Sequence, residues 1–215
     1  VVGLIVWVFP DSNVLDYGYA DLNSFFSLVP YVLVFLIPAI TMRSIAEERR
    51  NGTLELLLTK PLSTVDLIVG KFLANWLLVF LTILPTIIYY VSIYKLGNPA
   101  GNIDSASVFG SYTGLLMLGG VMVAIGIWTS SLNDNQIVAF VLGVFICFVW
   151  YAGFGAVATL LEDGVLAQLF NWLALDEQYR SLGRGLIDSR NVIYLGTLMV
   201  LFLTLTYWRI ESLRQ

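Results

Sequence analysis

Long apolar runs alternate with short polar connections along this chain. Crossing a bilayer core of about 30 Å takes roughly 20 apolar residues in a helix. The apolar run at residues 1–9, at about 1.5 Å per residue, would cross only about half of that core. We therefore interpret it as the end of a truncated first helix. The pattern predicts an all-α integral membrane protein, a six-transmembrane-helix bundle in a single domain over residues 1–215. Its other spans are predicted at about 22–42, 64–96, 108–132, 136–161 and 191–208.

Composition narrows the possible functions. Only 12% of the residues are charged, against about 25% in soluble domains, and the mean hydropathy is +0.83. The chain has no histidine and one cysteine, Cys147. Histidine-based metal sites, a Ser-His-Asp triad and a disulfide framework are therefore excluded. No G-x-x-x-x-G-K-[ST] motif occurs, so we expect neither an enzyme nor a bound cofactor in this chain. No basic patch suggests a nucleic-acid partner.

Charge predicts the orientation. Five of the eleven basic residues lie within residues 43–71, next to the second and third spans. Loops rich in lysine and arginine stay on the cytoplasmic side. Placing residues 43–63 inside puts seven basic residues on the cytoplasmic side and four outside. We therefore predict a multi-pass protein with residues 43–63 on the cytoplasmic side of the membrane. We also expect Lys71 to extend towards the lipid headgroups.

The connection at residues 43–63 carries signals for short helices. Residues 44–50 can extend the second span beyond the membrane, and Asn51–Gly52 is a helix-stop signal. Thr53 can cap a new short helix that ends by Pro61, and Ser63 can cap the third span. The leucines between them are too apolar to be free in water. The pattern predicts a shaped surface element between two breaks.

The same residues resemble a known family. The stretch EERRNGTLELLLTKPLSTVDLIVGK is similar to the segment between the second and third spans of ABC transporter permeases of the type-2 exporter class. Within that class, FLIPAITMRSIAEE, RGLIDSRNVIYL and RIESLR resemble the gliding-motility-associated permease subunit of Bacteroidetes-type bacteria. The motif positions are Glu47–Glu48, Arg49–Arg50, Gly52–Thr53, Glu55, Leu57–Leu58, Thr59–Pro61, Ser63 and Gly70–Lys71.

The resemblance implies a permease subunit that exports a substrate across the inner membrane, with a link to gliding motility. A separate cytoplasmic ABC ATPase dimer would bind ATP and Mg²⁺. A second permease subunit, identical or different, and membrane lipids would be the other partners. Residues 43–63 would contain the coupling helix that seats on the ATPase. The implied coupling residues are Glu47, Glu48, Arg49, Gly52, Thr53, Glu55 and Pro61.

Three alternatives remain open at this stage. The chain could be a membrane-embedded enzyme, although no polar constellation supports one. It could instead be a non-transporting anchor or scaffold subunit of an envelope or motility complex, which would share the same docking loop. The small residues of the fourth span, including Gly110 and Gly114, could serve packing within the chain or contact with a second subunit.

The outer segment 162–190 contains VLAQLFNWL, which predicts an interfacial helix at residues 165–173.

The charge distribution makes the orientation testable. Single cysteines at Ser12, Ser105 and Ser181, in a Cys147→Ser background, should react in intact cells with a membrane-impermeant thiol reagent. A cysteine at Asn51 should react only after the membrane is opened. Labelling of Asn51 in sealed cells would reverse the predicted orientation.

Overall fold

The computed structural model describes residue 3 and residues 22–58, 63–97, 101–161, 164–185 and 188–214. Within these ranges the chain is helical and contains no strand. The helices are α1 (Asn23–Thr41), α2 (Ala46–Arg50), α3 (Thr53–Leu58), α4 (Thr64–Ile83), α5 (Ile87–Leu96), α6 (Ser105–Leu132), α7 (Gln136–Phe148), α8 (Phe154–Leu160), α9 (Val165–Leu173), α10 (Leu175–Gly183) and α11 (Ser189–Arg214).

Five segments of the described part are long and apolar enough to cross a membrane. These segments are Asn23–Arg50, Thr64–Leu96, Ser105–Leu132, Gln136–Leu160 and Ser189–Leu213. Each coincides with a span predicted from the sequence, so the all-helical, multi-pass architecture is confirmed. The predicted stub at residues 1–9 lies, apart from Gly3, outside the described residues.

Helix α6 forms the axis of the bundle. Helices α1, α4, α7, α10 and α11 all pack against it, and most of its length is buried. A helix enclosed on several sides needs small residues where backbones approach closely. A β-carbon at Gly110 would overlap the carbonyl oxygen of Leu182, and one at Gly126 would overlap the side chain of Thr41. The small residues of this span therefore serve packing within the chain, one of the two interpretations that the sequence left open.

Two spans depart from regular α-helix. Helices α4 and α5 are joined by a 3₁₀ turn, Leu84–Thr86, which contains Pro85. Proline lacks a backbone N–H and its ring crowds the preceding turn, so the helix cannot run through it unchanged. Helices α7 and α8 are joined by a π-helical segment, Val149–Gly153. This wider turn carries the buried Tyr151.

The segment between the last two spans is more structured than the sequence indicated. The predicted helix at residues 165–173 is present as α9, and it exposes Leu166 and Leu169. A second helix, α10, follows at once and was not predicted. Its polar and apolar residues alternate with helical spacing, and Leu175, Tyr179 and Leu182 are buried. Helix α10 lies against the first half of α6 and closes that end of the bundle.

The spans begin or end differently from the prediction at two places. Helix α6 starts at Ser105 because the Asp104 carboxylate accepts hydrogen bonds from the N–H groups of Ala106 and Ser107, which caps the helix. The last span was predicted to end at Trp208, but α11 continues to Arg214.

The bundle has two distinct ends. We call the one that contains residues 42–54, 64–71, 130–135 and 209–214 the basic end, because most of the lysine and arginine residues lie there. The opposite end contains residues 22–31, 105–112, 151 and 175–184, and we call it the aromatic end. The spans alternate between the two ends, as the predicted topology requires.

Close packing around α6 predicts a contrast between two glycines. Gly110→Ala should lower the free energy of unfolding by about 1–3 kcal/mol, because the new methyl group meets backbone that cannot move aside. Gly196→Ala in α11 has open space around it and should be neutral or stabilising, since alanine favours helix over glycine by about 1 kcal/mol. Thermal unfolding of both variants in detergent checks this. Equal effects would contradict the assigned α6–α10 contact.

Candidate functional site

The helix break after α1 is the first feature of the candidate site. Helix α1 ends at Thr41, residues 42–45 form a turn, and α2 begins at Ala46. The first N–H groups of a helix have no partner inside it and need a cap. The residue at the capping position is Ile45, which has no side-chain acceptor. The chain therefore turns at residues 42–45 before the helical extension predicted for residues 44–50 resumes at Ala46.

A serine from α6 supplies the missing cap. The hydroxyl oxygen of Ser130 accepts hydrogen bonds from the backbone N–H groups of Ile45 and Ala46, both at 3.0 Å. The same hydroxyl donates to the carbonyl oxygen of Met42 at 2.9 Å. Ile45, Ala46 and Ser130 are fully buried. One hydroxyl thus satisfies three backbone groups of the turn and fixes the turn to α6.

A lysine from α4 holds the other side of the break. The Lys71 ammonium group donates to the Ser44 carbonyl oxygen and pairs with the Glu48 carboxylate, both at 2.6 Å. The Asn75 amide, one turn further along α4, donates to the Ser44 hydroxyl at 2.8 Å. Our expectation that Lys71 extends to the lipid headgroups is wrong. A carboxylate and a carbonyl lie within reach inside the bundle, and only 16% of the lysine side chain is exposed.

Arg49 adds a third connection. Its guanidinium group donates to the carbonyl oxygen of Ser131 at 2.9 Å, in the last turn of α6. The final carbonyls of a helix lack partners within the helix and carry partial negative charge, so a cation there is favourable. Residues 42–50 are thereby bonded to both α4 and α6. We call this set of contacts the clamp, formed by Ser44, Glu48, Arg49, Lys71, Asn75, Ser130 and the Ser131 carbonyl.

The predicted coupling residues divide into two groups. Glu48 and Arg49 turn towards the bundle and belong to the clamp, whereas Glu47 is exposed. Gly52 is exposed with a φ of 68°, the left-handed conformation that its helix-stop role requires. Thr53 is also exposed, and its hydroxyl donates to the Glu48 carbonyl at 3.3 Å. The side chain of Glu55 and all of Pro61 lie outside the described part of the chain.

The start of α4 is joined to the end of α11. The hydroxyl of Ser63 caps α4 by accepting from the Asp66 N–H at 3.1 Å, as its sequence pattern predicts. The neighbouring Thr64 donates to the Glu211 carboxylate at 3.1 Å. Two buried atoms nearby, Glu48 Oε2 and Arg209 Nε, have no hydrogen-bond partner among the described residues. The basic end is therefore a polar network that reaches three spans.

This network is suited to holding position and not to bond-making chemistry. It contains an ion pair, amides and hydroxyls, and apart from the Ser63 cap the polar contacts just described join one element to another. Among the described residues no group of three histidine, cysteine, aspartate or glutamate side chains is placed to hold a metal ion. What the arrangement can do is keep residues 42–50 in fixed register with α4 and α6.

Sequence reasoning missed the partners in the spans. Ser130 reads as an ordinary small residue in an apolar helix, and its role follows only from the approach of α1 and α6. Asn75 did carry a signal, because an amide inside an apolar span is costly unless it has a partner. Lys71 was noticed, but its partner could not be named, since Glu48 lies 23 positions away.

Comparison with known proteins decides the family. The sequence pattern of the family described as "ABC-2 family transporter protein" matches residues 10–175. The chain belongs to the ABC-2 transporter family. The matched range contains the whole clamp, α1 to α9 and the start of α10. Family membership agrees with the five candidate spans of the described residues.

Individual relatives point in the same direction. The chain is 31% identical over 132 residues to the "probable multidrug ABC transporter permease YbhR" of Escherichia coli strain K12. The protein of the same name from Escherichia coli O157:H7 matches equally. In both cases the match covers 61% of this chain but only 33% of the relative. The matched part of the chain thus spans about a third of the length of these relatives.

The clamp predicts unequal effects for two adjacent serines. Ser130→Ala leaves the buried N–H groups of Ile45 and Ala46 without an acceptor, which should cost about 1–3 kcal/mol. Ser131→Ala is the matched control, because that hydroxyl bonds only to the Trp128 carbonyl of its own helix. We expect hydrogen exchange to accelerate at residues 42–50 in Ser130→Ala alone. Similar exchange in both variants would show that Ser130 does not cap α2.

Proposed function

We propose that this chain is the permease subunit of a bacterial ABC exporter, located in the inner membrane. In this proposal residues 43–63 are the coupling element that seats on a separate cytoplasmic ATPase dimer, which binds ATP and Mg²⁺. The observation that carries the proposal is the clamp, which bonds one side of a surface element to two spans while Glu47 and Thr53 remain exposed.

The clamp gives the element a mechanical role. An element joined to the bundle by a slack linker would absorb the motion of its partner. Here Lys71 and Asn75 connect residues 44–48 to α4, and Ser130 with the Ser131 carbonyl connects residues 45–49 to α6. A force applied at the exposed surface would therefore reach both spans through short polar contacts. Packed elements joined by such contacts resist gradual deformation. A shift of one element is therefore passed on to its neighbours.

The roles of the predicted coupling residues follow from their placement. We assign ATPase contact to Glu47, Gly52 and Thr53, which are exposed, and to Glu55, whose side chain is not described. Glu48 and Arg49 transmit the motion, because their side chains bond to α4 and α6. Pro61 would fix the direction in which the chain enters α4.

Further partners and the transported substance belong to this proposal. We propose that a second permease subunit completes the membrane part, because ABC exporters need two halves around one path. The relatives are named as multidrug permeases, which suggests an apolar or amphiphilic cargo. Resemblance of three segments to a gliding-motility permease supports a link to motility. The competing proposal is an anchor that docks an ATPase without transport, and it predicts the same contacts at the basic end.

Separate variants can distinguish docking from transmission. Glu47→Lys should abolish co-purification of the ATPase, since reversing an interface charge costs about 2–5 kcal/mol. Lys95→Glu, an exposed charge change near the end of α5 and outside the coupling element, is the matched control and should leave recovery of the complex unchanged. Normal recovery with Glu47→Lys would remove this residue from the docking surface.

The clamp itself is tested by a paired substitution. The double substitution Glu48→Gln with Lys71→Met removes both charges of the ion pair, so that neither partner is left as an unpaired buried charge. We expect the ATPase to remain bound in this variant, while ATP-driven export by the reconstituted complex falls at least about tenfold. Lys71→Arg, which keeps a cation beside Glu48, should retain most of the export. Normal export without the ion pair would contradict transmission through the clamp. ATP hydrolysis by the wild-type complex without any export would favour the anchor.

A further inference from the structure

The aromatic end contains a cavity of about 530 Å³ that the proposed coupling does not use. Its walls come from four elements, namely the first turns of α1, Ser111 of α6, the π-helical segment at Tyr151 and one face of α10 with the residue that follows it. The unpredicted helix α10 supplies the polar wall. A cavity of this size holds a small molecule or a headgroup, since ligand pockets are commonly about 300–1,000 Å³.

Hydrogen bonds between the walls keep the cavity open. The Tyr179 hydroxyl donates to the Phe26 carbonyl at 3.0 Å and joins α10 to α1. The Tyr151 hydroxyl donates to Asp176 at 3.1 Å and joins the π-helical segment to α10. Burial raises the pKa of Tyr179 above its ordinary value, so this hydroxyl keeps its proton and remains a donor. The walls are therefore fixed before any ligand enters.

The rim of the cavity has more positive than negative charge. Asp176 accepts two hydrogen bonds from Arg180, both at 3.0 Å, and this pairing neutralises its charge. The hydrogen bond to Asp176 raises the pKa of Arg180, so this guanidinium group stays charged. Arg184 also lines the cavity, and it is 71% exposed with Glu177 at 4.0 Å, the outer edge of ion-pair distance. Its guanidinium donors can bind a phosphate-type oxyanion.

An apolar track leads away from this rim. The ring of Tyr31 packs edge-on against Tyr151, with centroids 5.2 Å apart, and is 44% exposed. Phe35 lies one turn further along α1 and is 57% exposed. Leu169 and Trp172 of α9 are exposed at the same end of the bundle, as expected for a helix at a membrane interface. A ligand with an anionic head and an apolar chain would match both parts of this surface.

We propose that the cavity binds the phosphate-bearing headgroup of an anionic amphiphile, with its chain along Tyr31 and Phe35. A neutral polyol would leave the charge of Arg184 unused, and a zwitterionic headgroup would bring its own cation to the same rim. The site lies at the opposite end of the bundle from the clamp. It does not rest on the proposed ATPase partner, and it can hold or fail independently of the coupling.

Lipid binding to the protein purified in detergent tests the site. We expect short-chain phosphatidylglycerol to raise the melting temperature and to bind in native mass spectra, and phosphatidylcholine to bind more weakly. Arg184→Gln should weaken phosphatidylglycerol binding by about tenfold, the loss expected for one charge-assisted hydrogen bond. Arg190→Gln is the matched control, since this exposed arginine lies a few residues away and does not line the cavity.

A second variant tests the cavity independently of charge. Ser27 lines the cavity and is exposed, and its hydroxyl bonds to the Ser24 carbonyl of its own helix. Ser27→Leu should fill the space and reduce phosphatidylglycerol binding while the unliganded melting temperature stays near that of the wild type. Unchanged binding in both Arg184→Gln and Ser27→Leu would overturn the proposal. An equal stabilisation by inorganic phosphate would also overturn it, because the apolar chain would then contribute nothing.

Discussion

The turn after α1 imposes the constraint on which the basic end depends. A chain that leaves a helix near a membrane surface must satisfy each backbone group that it frees, since an unpaired buried N–H costs about 1–3 kcal/mol. Ile45 cannot do this locally, and Ser130 does it from another span. The position of α2 is therefore set by α6 and not by the sequence of the turn. The ion pair of Lys71 and Glu48 joins the same element to α4.

Burial of α6 is the second constraint, and it explains the composition of that helix. A span with neighbours on most sides cannot show the one-sided pattern of a surface helix, because it has no side left for lipid. Its glycines lie where α10, α1 and α11 approach most closely, at Gly110, Gly126 and Gly120. The remaining spans each keep an apolar face outward, such as Leu73 and Leu77 on α4.

Patterns with a local cause were predictable from the sequence. Runs of apolar residues gave the five spans, and Ser63 and Gly52 gave a helix start and a helix stop. Contacts between distant residues were not predictable, because nothing near Ser130 or Glu48 in the chain indicates its partner. Helix α10 was missed for another reason. It is polar overall, and a search for apolar runs passes over a short helix that buries only one face.

The two ends of the molecule constrain where motion can occur. Helices α1 and α6 are joined at the basic end through Met42 and Ser130. At the aromatic end they are joined through α10, which bonds to the Phe26 carbonyl and, at Gly183, accepts from the Ser107 hydroxyl. Two helices fixed at both ends move together. The span made of α4 and α5 is also bonded to α6, from Trp76 to the Leu116 carbonyl and, nearer the aromatic end, from Thr86 to the Tyr112 hydroxyl. A force entering at residues 42–50 would therefore act on α1, α4 and α6 together.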